Sequence, residues 1–343
     1  MLNEFKIPVP KLTLKKCVVT STALTGAILA ACGGASDAPS PPSHTSEASA
    51  PAAFESNVIS ADELKGQRIT AGENSPVILI VPGSGPTDLN GNNPMGVSAN
   101  SYKMLAEGLA GKGISTVRID KRGMFSSKAA GDANAVTLDI YAQDYRDWAK
   151  AVKAETRQDC VYLLGHSEGG LMVSAAARDN ADICGLILVA APGRSFGDIL
   201  REQLKANPAN IIILKEANAA IDTLEAGKRL DTTELNPLLK PLFNDAVQGF
   251  LMSVMNVDPA ELAKSADKRT LIIQGTHDIQ VKPEDAALLA DATGGRLVLI
   301  DGMNHVLKDA PANRIGNMMT YSKPDLPLSA DVVSSISEFV LQD

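Results

Sequence analysis

A serine flanked by glycines, Gly165-His166-Ser167-Glu168-Gly169, carries the clearest chemical signal in this 343-residue chain. The apolar run Val161-Tyr162-Leu163-Leu164 precedes it and the small, apolar run from Gly170 to Ala177 follows, so the pattern reads strand, sharp turn, helix. G-x-S-x-G puts serine at the tip of a turn so tight that neighbouring side chains would collide, and the glycines remove that collision. The following helix turns its N-terminal N–H groups and the positive end of its dipole toward the place where an oxyanion would form. Such a hydroxyl becomes a nucleophile when a base takes its proton and a third group holds that base in one tautomer.

The chain offers four histidines for the role of base. His44 falls in a low-complexity stretch, and His166 sits inside the turn, where it is expected to point away from the serine. His305 lies in Asp301-Gly302-Met303-Asn304-His305, directly after the apolar run Leu297-Val298-Leu299-Ile300. His277 precedes Asp278 in a similar loop after Leu271-Ile272-Ile273-Gln274-Gly275. Ser167, Asp278 and His305 thus follow one another as nucleophile, acid and base, each just beyond a predicted strand of an alternating α/β pattern. Open parallel sheets collect their chemistry at that edge.

The elements that position these groups begin with a predicted first strand, Val77-Ile78-Leu79-Ile80-Val81, which runs into Pro82-Gly83-Ser84-Gly85-Pro86. Together these residues resemble the α/β-hydrolase superfamily and, within it, the bacterial esterases and serine-aminopeptidase-like (S33-type) hydrolases, over about residues 66 to 342. In that family the acid follows a late strand in a G-x-x-D setting, matched by Gly275-Thr276-His277-Asp278, and the histidine follows the last strand, matched by Gly302-Met303-Asn304-His305. The resemblance implies an α/β-hydrolase fold: a mostly parallel central sheet flanked by helices, with a helical cap inserted after the sixth core strand. It implies Ser167, Asp278 and His305 as catalytic residues, and an oxyanion hole built from the backbone N–H groups of Ser84 and Glu168. Many members carry His-Gly where this chain has Pro82-Gly83, a change of little consequence when the donor is backbone. Asp120-Lys121-Arg122-Gly123, after Thr116-Val117-Arg118-Ile119, resembles a family loop of structural role.

The cap has its own signature. Between the strand Leu186–Ala190 and the strand at Leu271 about eighty residues intervene, where a direct crossover needs about a dozen. Phe196 to Ala206, Ile211 to Ala226 and Pro241 to Met255 carry apolar residues at helical spacing, with Pro208, Gly227, Pro237 and Pro259 as punctuation, which sets the cap at about 194–265. Phe243, Phe250, Met252 and Met255 are the candidates to line a substrate pocket there.

At the N-terminus, Lys11, Lys15 and Lys16 precede fifteen uncharged residues from Cys17 to Ala31, and Leu29-Ala30-Ala31-Cys32 then meets Gly33-Gly34. The stretch suits a signal peptide and is short for a membrane span, and the small residues before Cys32 resemble a bacterial lipoprotein cleavage box. The expectation is a signal peptide over 1–31, lipidation of Cys32 as the membrane anchor, a tether rich in Ala, Ser and Pro over 32–56, and a catalytic domain over 57–343 in the cell envelope. Cys160 and Cys184 start consecutive parallel strands, which are neighbours in such a fold, so an exported chain is expected to join them in a disulfide.

Residues 1–31 hold four lysines and one glutamate, so their removal takes the net charge from −8 to −11. No basic patch stands out, which argues against nucleic acid as a partner. Asp88, Asn90 and Asn92 alternate as calcium ligands do, but Gly91 is off the EF-hand position and no glutamate follows at the required distance. Zinc-ligand spacing, a phosphate-binding P-loop and a dinucleotide fingerprint are all missing from the sequence, so no metal and no cofactor is implied. The expected function is hydrolysis of carboxylic esters of short or medium acyl chain through an acyl-enzyme. A serine aminopeptidase and a non-catalytic surface binding protein on a hydrolase scaffold are the alternatives; the oligomeric state is left open.

Overall fold

The computed structural model describes Phe54 and residues 56–342. The expected signal peptide, lipidation site Cys32 and most of the tether lie outside the described residues. Eight strands form one sheet: β1 (Ser56–Ala61), β2 (Leu64–Ile69), β3 (Val77–Val81), β4 (Ser115–Ile119), β5 (Val161–His166), β6 (Ile183–Val189), β7 (Arg269–Gly275) and β8 (Arg296–Ile300). Their order is β1-β2-β4-β3-β5-β6-β7-β8; the hairpin β1–β2 is antiparallel, as is β2 to β4, and every other pair is parallel.

β3 shows why the parallel part reads as continuous apolar sequence. All five of its residues are buried because helices cover both faces. Val77, Leu79 and Val81 join a core with α2 (Leu138–Thr156), α3 (Gly169–Ala177), α8 (Pro259–Ser265) and α9 (Pro283–Thr293). Ile78 and Ile80 face the opposite way, into a core with α1 (Ser101–Ala110) and α11 (Asp331–Leu341).

β3 is the third strand of the sheet, not the first. The preceding hairpin escapes sequence reading because β1 exposes most of its residues, Val58 among them, and β2 carries Lys65, Gly66, Gln67 and Arg68. Gly66 is required there by close approach: a Cβ on it would stand 2.6 Å from the Arg118 carbonyl oxygen of β4.

Cys160 and Cys184 are joined in a disulfide, their Cα atoms 5.2 Å apart. The β5–β6 register slips at this point, with Val161 opposite Ile183 and Tyr162 opposite Gly185, so Cys184 is the extra residue of a bulge.

The cap follows β6, the sixth strand of the sheet. It contains α4 (Phe196–Ala206), α5 (Leu214–Glu225), α6 (Lys240–Phe243) and α7 (Asp245–Met255), with α10 (Arg314–Met319) lying far later in the chain. The expected helix from Pro241 to Met255 breaks at Asn244, whose side chain accepts from the Ala246 N–H and so caps α7 anew. α8, expected inside the cap, packs instead on α3 and α9 of the main domain. The cap's own core joins Leu200, Ile213, Ala217, Ile221, Leu224, Leu239, Phe243, Leu251 and Met255. Its stem is fastened at Arg194, which places two guanidinium hydrogen bonds of 3.0 and 2.7 Å on the fully buried carboxylate of Asp285. Among the described residues no helix is long and apolar enough to cross a membrane.

Candidate active site

Ser167 directly follows β5 and adopts φ 54°, the left-handed region that a non-glycine residue occupies only when its surroundings impose it. The imposition is visible. Its N–H donates to the Val189 carbonyl at 2.9 Å, and its own carbonyl accepts from Gly170 at 2.9 Å. Both glycines of the motif are required by close approach. A Cβ on Gly165 would stand 2.4 Å from the Gly169 carbonyl oxygen, and one on Gly169 would stand 2.7 Å from that of Val81.

Asp278 and His305 meet across the loops after β7 and β8. His305 Nδ1 lies 2.8 Å from Asp278 Oδ2, while the other carboxylate oxygen accepts from the N–H groups of Gln280 at 2.7 Å and Val281 at 3.0 Å. Burial pushes the Asp278 carboxyl up, but the charge of His305 and these hydrogen bonds outweigh it and hold the group below the usual carboxylate range. Gly275 lets the two loops touch, since a Cβ there would stand 2.0 Å from the Met303 carbonyl oxygen. Asn304 fastens the His305 loop by accepting from Val306 and Lys308 N–H groups and donating to Thr320 Oγ1 at 2.7 Å. Asp301 accepts from Thr276 Oγ1 on the exposed surface, and His277 bonds the Ala310 carbonyl.

The loop after β3 presses on the serine. A Cβ on Gly83 would lie 3.0 Å from that of Ser167. Three groups hold this loop: Lys121 Nζ donates to the Gly83 carbonyl at 2.6 Å, Tyr102 Oη accepts from the Gly83 N–H at 3.3 Å, and Ser84 Oγ donates to Glu168 Oε2 at 2.8 Å. Among the described residues, the backbone N–H groups of Ser84 and Glu168 have no partner within the fold. Burial raises the Glu168 pKa, with Lys121 and the Ser84 hydroxyl opposing; burial lowers that of Lys121, with Glu168 opposing.

Ser167, His305, Ser84 and Glu168 all line one cavity, with Pro192, Phe196, Ile199, Leu200, Gln203, Val281 and Tyr321 among its other walls. The pocket candidates from the end of the cap do not. Phe243 and Met255 are buried in the cap's own core, and Met252 packs beside them. Phe250 stands edge-to-face on Tyr141 of α2, ring centroids 6.0 Å apart. α7 turns its apolar face into the cap and onto α2, whereas α4 is the helix over the serine. The signal for α4 was present in Phe196, Ile199 and Leu200, at i, i+3 and i+4.

Three further residues make contacts around Ser167 that no sequence pattern announces. Lys121 lies in the loop read as structural, and its buried ammonium grips the Gly83 carbonyl of the loop after β3. Tyr102 sits on α1. His166, expected to point away from the serine, is buried at the cavity wall with its ring centroid 4.8 Å from that of His305.

The sheet order, the strained serine after β5 and the loops after β7 and β8 that bring Asp278 and His305 together define an α/β-hydrolase fold. The structure of DcsB in complex with its substrate analogue overlays with a TM-score of 0.53 at 17% identity, covering 84% of this chain and 99% of that one. The esterase domain of a Rhodothermus marinus protein overlays at 0.50 with 15% identity, covering 84% and 98%. Within that fold, the profile of the serine aminopeptidase family S33 matches residues 93–309, more than half of the chain, and the chain belongs to this family. Esterase EstD of Thermotoga maritima is 30% identical over 271 residues, 75% of this chain and 61% of that protein. The chain thus spans about three fifths of the length of that curated relative.

Proposed function

We propose that this chain is a serine hydrolase that cleaves carboxylic esters of short or medium acyl chain through an acyl-enzyme. The observation that carries the reading is the Asp278–His305 pair, hydrogen-bonded at 2.8 Å, with His305 opening beside strained Ser167 onto one cavity. Because Nδ1 of His305 donates to Asp278, Nε2 is left to take the Ser167 proton as Oγ attacks the ester carbonyl. The N–H groups of Ser84 and Glu168 stabilise the resulting oxyanion. His305 returns the proton to the departing alcohol; a water activated by the same base then releases the acid and frees Ser167.

The choice of ester over aminoacyl substrate rests on the cavity's charge. An ammonium needs an available carboxylate, and a buried carboxylate left without a partner is costly. Among the described residues lining the cavity, Glu168 is the carboxylate present, and Ser84 and Lys121 already engage it. Pro192, Phe196, Ile199, Leu200 and Val281 offer an apolar wall for an acyl chain instead. EstD, named an esterase, supports the same choice. Hydrolysis of p-nitrophenyl butyrate well above alanine p-nitroanilide is expected. Faster cleavage of the anilide, lost when its amine is acetylated, would make the aminopeptidase the better reading.

From the sequence alone we further read the chain as exported and anchored by lipid on Cys32. Incorporation of labelled palmitate, lost in Cys32→Ala, is the expected result; equal labelling of both proteins contradicts it.

A further inference from the structure

We propose that Tyr102 and His166 are positioning residues for this hydrolysis, forming a buried hydrogen-bonded link that sets the base loop against the oxyanion loop. The proposal rests on the roles given above to Ser167, His305 and Ser84. Its basis is a chain of contacts in which each atom has one possible role. His166 Nε2 lies 2.8 Å from the backbone carbonyl oxygen of His305, which only accepts, so Nε2 carries the proton. Burial and the neighbouring His305 depress the His166 pKa to about 3, so the ring is neutral at working pH and its Nδ1 has a free lone pair. Tyr102 Oη, 2.8 Å from Nδ1, therefore donates to it. The same phenol oxygen accepts from the Gly83 N–H at 3.3 Å.

The link thus runs from the Gly83 amide through the Tyr102 hydroxyl and the His166 ring to the His305 carbonyl. One end adjoins Ser84, whose N–H is a proposed oxyanion donor, and the other is the backbone of the proposed base. Tyr102, His166 and His305 are only 3, 7 and 5% exposed, so little water reaches these bonds. The other tautomer of His166 would set lone pair against lone pair at the His305 carbonyl and push the tyrosine proton away from Nδ1. An apolar filler of similar shape would keep the packing but leave the Gly83 amide and the His305 carbonyl unpartnered at the two places where the reacting geometry is set. Misplacement of a reacting group by about 1 Å costs about 100-fold in rate.

The test uses the full chain and p-nitrophenyl butyrate, with kcat and KM measured separately beside thermal unfolding for wild type, Tyr102→Phe, His166→Leu and His166→Gln. Folded Tyr102→Phe is expected to lose about tenfold in kcat and His166→Leu about 100-fold, with KM held within about threefold in each. His166→Gln keeps an N–H able to reach the His305 carbonyl and is expected to recover at least about tenfold over His166→Leu. Tyr102→Phe removes one buried oxygen, so the test stands even where His166→Leu fails to fold. Folded variants with kcat within about twofold of wild type, a loss confined to KM, or a glutamine no better than leucine would each overturn the link while leaving the hydrolase reading intact. A wild type that neither turns over the ester nor reacts with a fluorophosphonate overturns both.

Discussion

The sheet edge and the cap are both built from helices and loops on one scaffold, yet they differ in what their residues are constrained by. At the edge, Gly165, Ser167 and Gly169 answer to their own backbone: a positive φ at the serine and carbonyls 2.4 and 2.7 Å from where side chains would begin. At Gly165 and Gly169 no larger residue meets those demands cheaply, so the constraint is written into adjacent letters. In the cap, Phe243 and Ile199 are both apolar, helical and buried, but one fills the cap's own core and the other walls the cavity. Their difference lies in which neighbour each helix meets, and adjacent letters do not carry it.

The largest effect that sharpens this contrast is on turnover. Ser167→Ala, His305→Gln and Asp278→Asn are each expected to lose about three orders of magnitude or more in kcat while remaining folded, and the double variants are expected to lose little more than the worst single one. Asp301→Asn, at the exposed hydrogen bond to Thr276, is the control expected to retain activity; the opposite ranking of the two aspartates would break the assignment.

Next in size are two buried apolar residues of the cap, Phe243 and Ile199. Phe243→Ala empties a fully buried site and should cost about 3–5 kcal/mol in chemical denaturation. It should leave the ranking of acetate, butyrate and octanoate esters unchanged. Ile199→Ala should instead shift that ranking toward longer acyl chains by about tenfold in kcat/KM. A shifted ranking in Phe243→Ala with none in Ile199→Ala would return the pocket to the end of the cap.

How much could be read in the letters follows from the same distinction. The parallel strands were legible because burial on both faces demands apolar runs, and the loops carrying Asp278 and His305 because they follow such runs. The β1–β2 hairpin was not, because Lys65, Gln67 and Arg68 line a strand near the sheet edge where one apolar period is not enforced. The cavity wall on α4 had an apolar stripe, but Asp245–Met255 had one as well, and only tertiary packing separates them. Tyr102 and His166 stand 64 residues apart, and His166 and His305 stand 139 apart, so their hydrogen bonds leave no local pattern.

A separate expected effect is a pH dependence of stability. His166 is depressed from its ordinary value of 6.5 to about 3 on folding, so between those values the unfolded chain binds more protons than the folded one. Its contribution is therefore complete above about pH 6.5 and lost as pH falls toward 3. Asp278, held low, adds loss in the same direction at more acid pH. His166→Gln should flatten the slope of unfolding free energy between about pH 6.5 and pH 4, and an unchanged slope would contradict a buried neutral imidazole.

The central claim, that Ser167 is a nucleophile activated by His305, is tested most directly by reacting the chain with a fluorophosphonate and mapping the modified peptide. The expected result is a single adduct on Ser167, absent in Ser167→Ala and formed far more slowly in His305→Gln. An adduct on another residue, or none on a folded wild-type chain, contradicts the account.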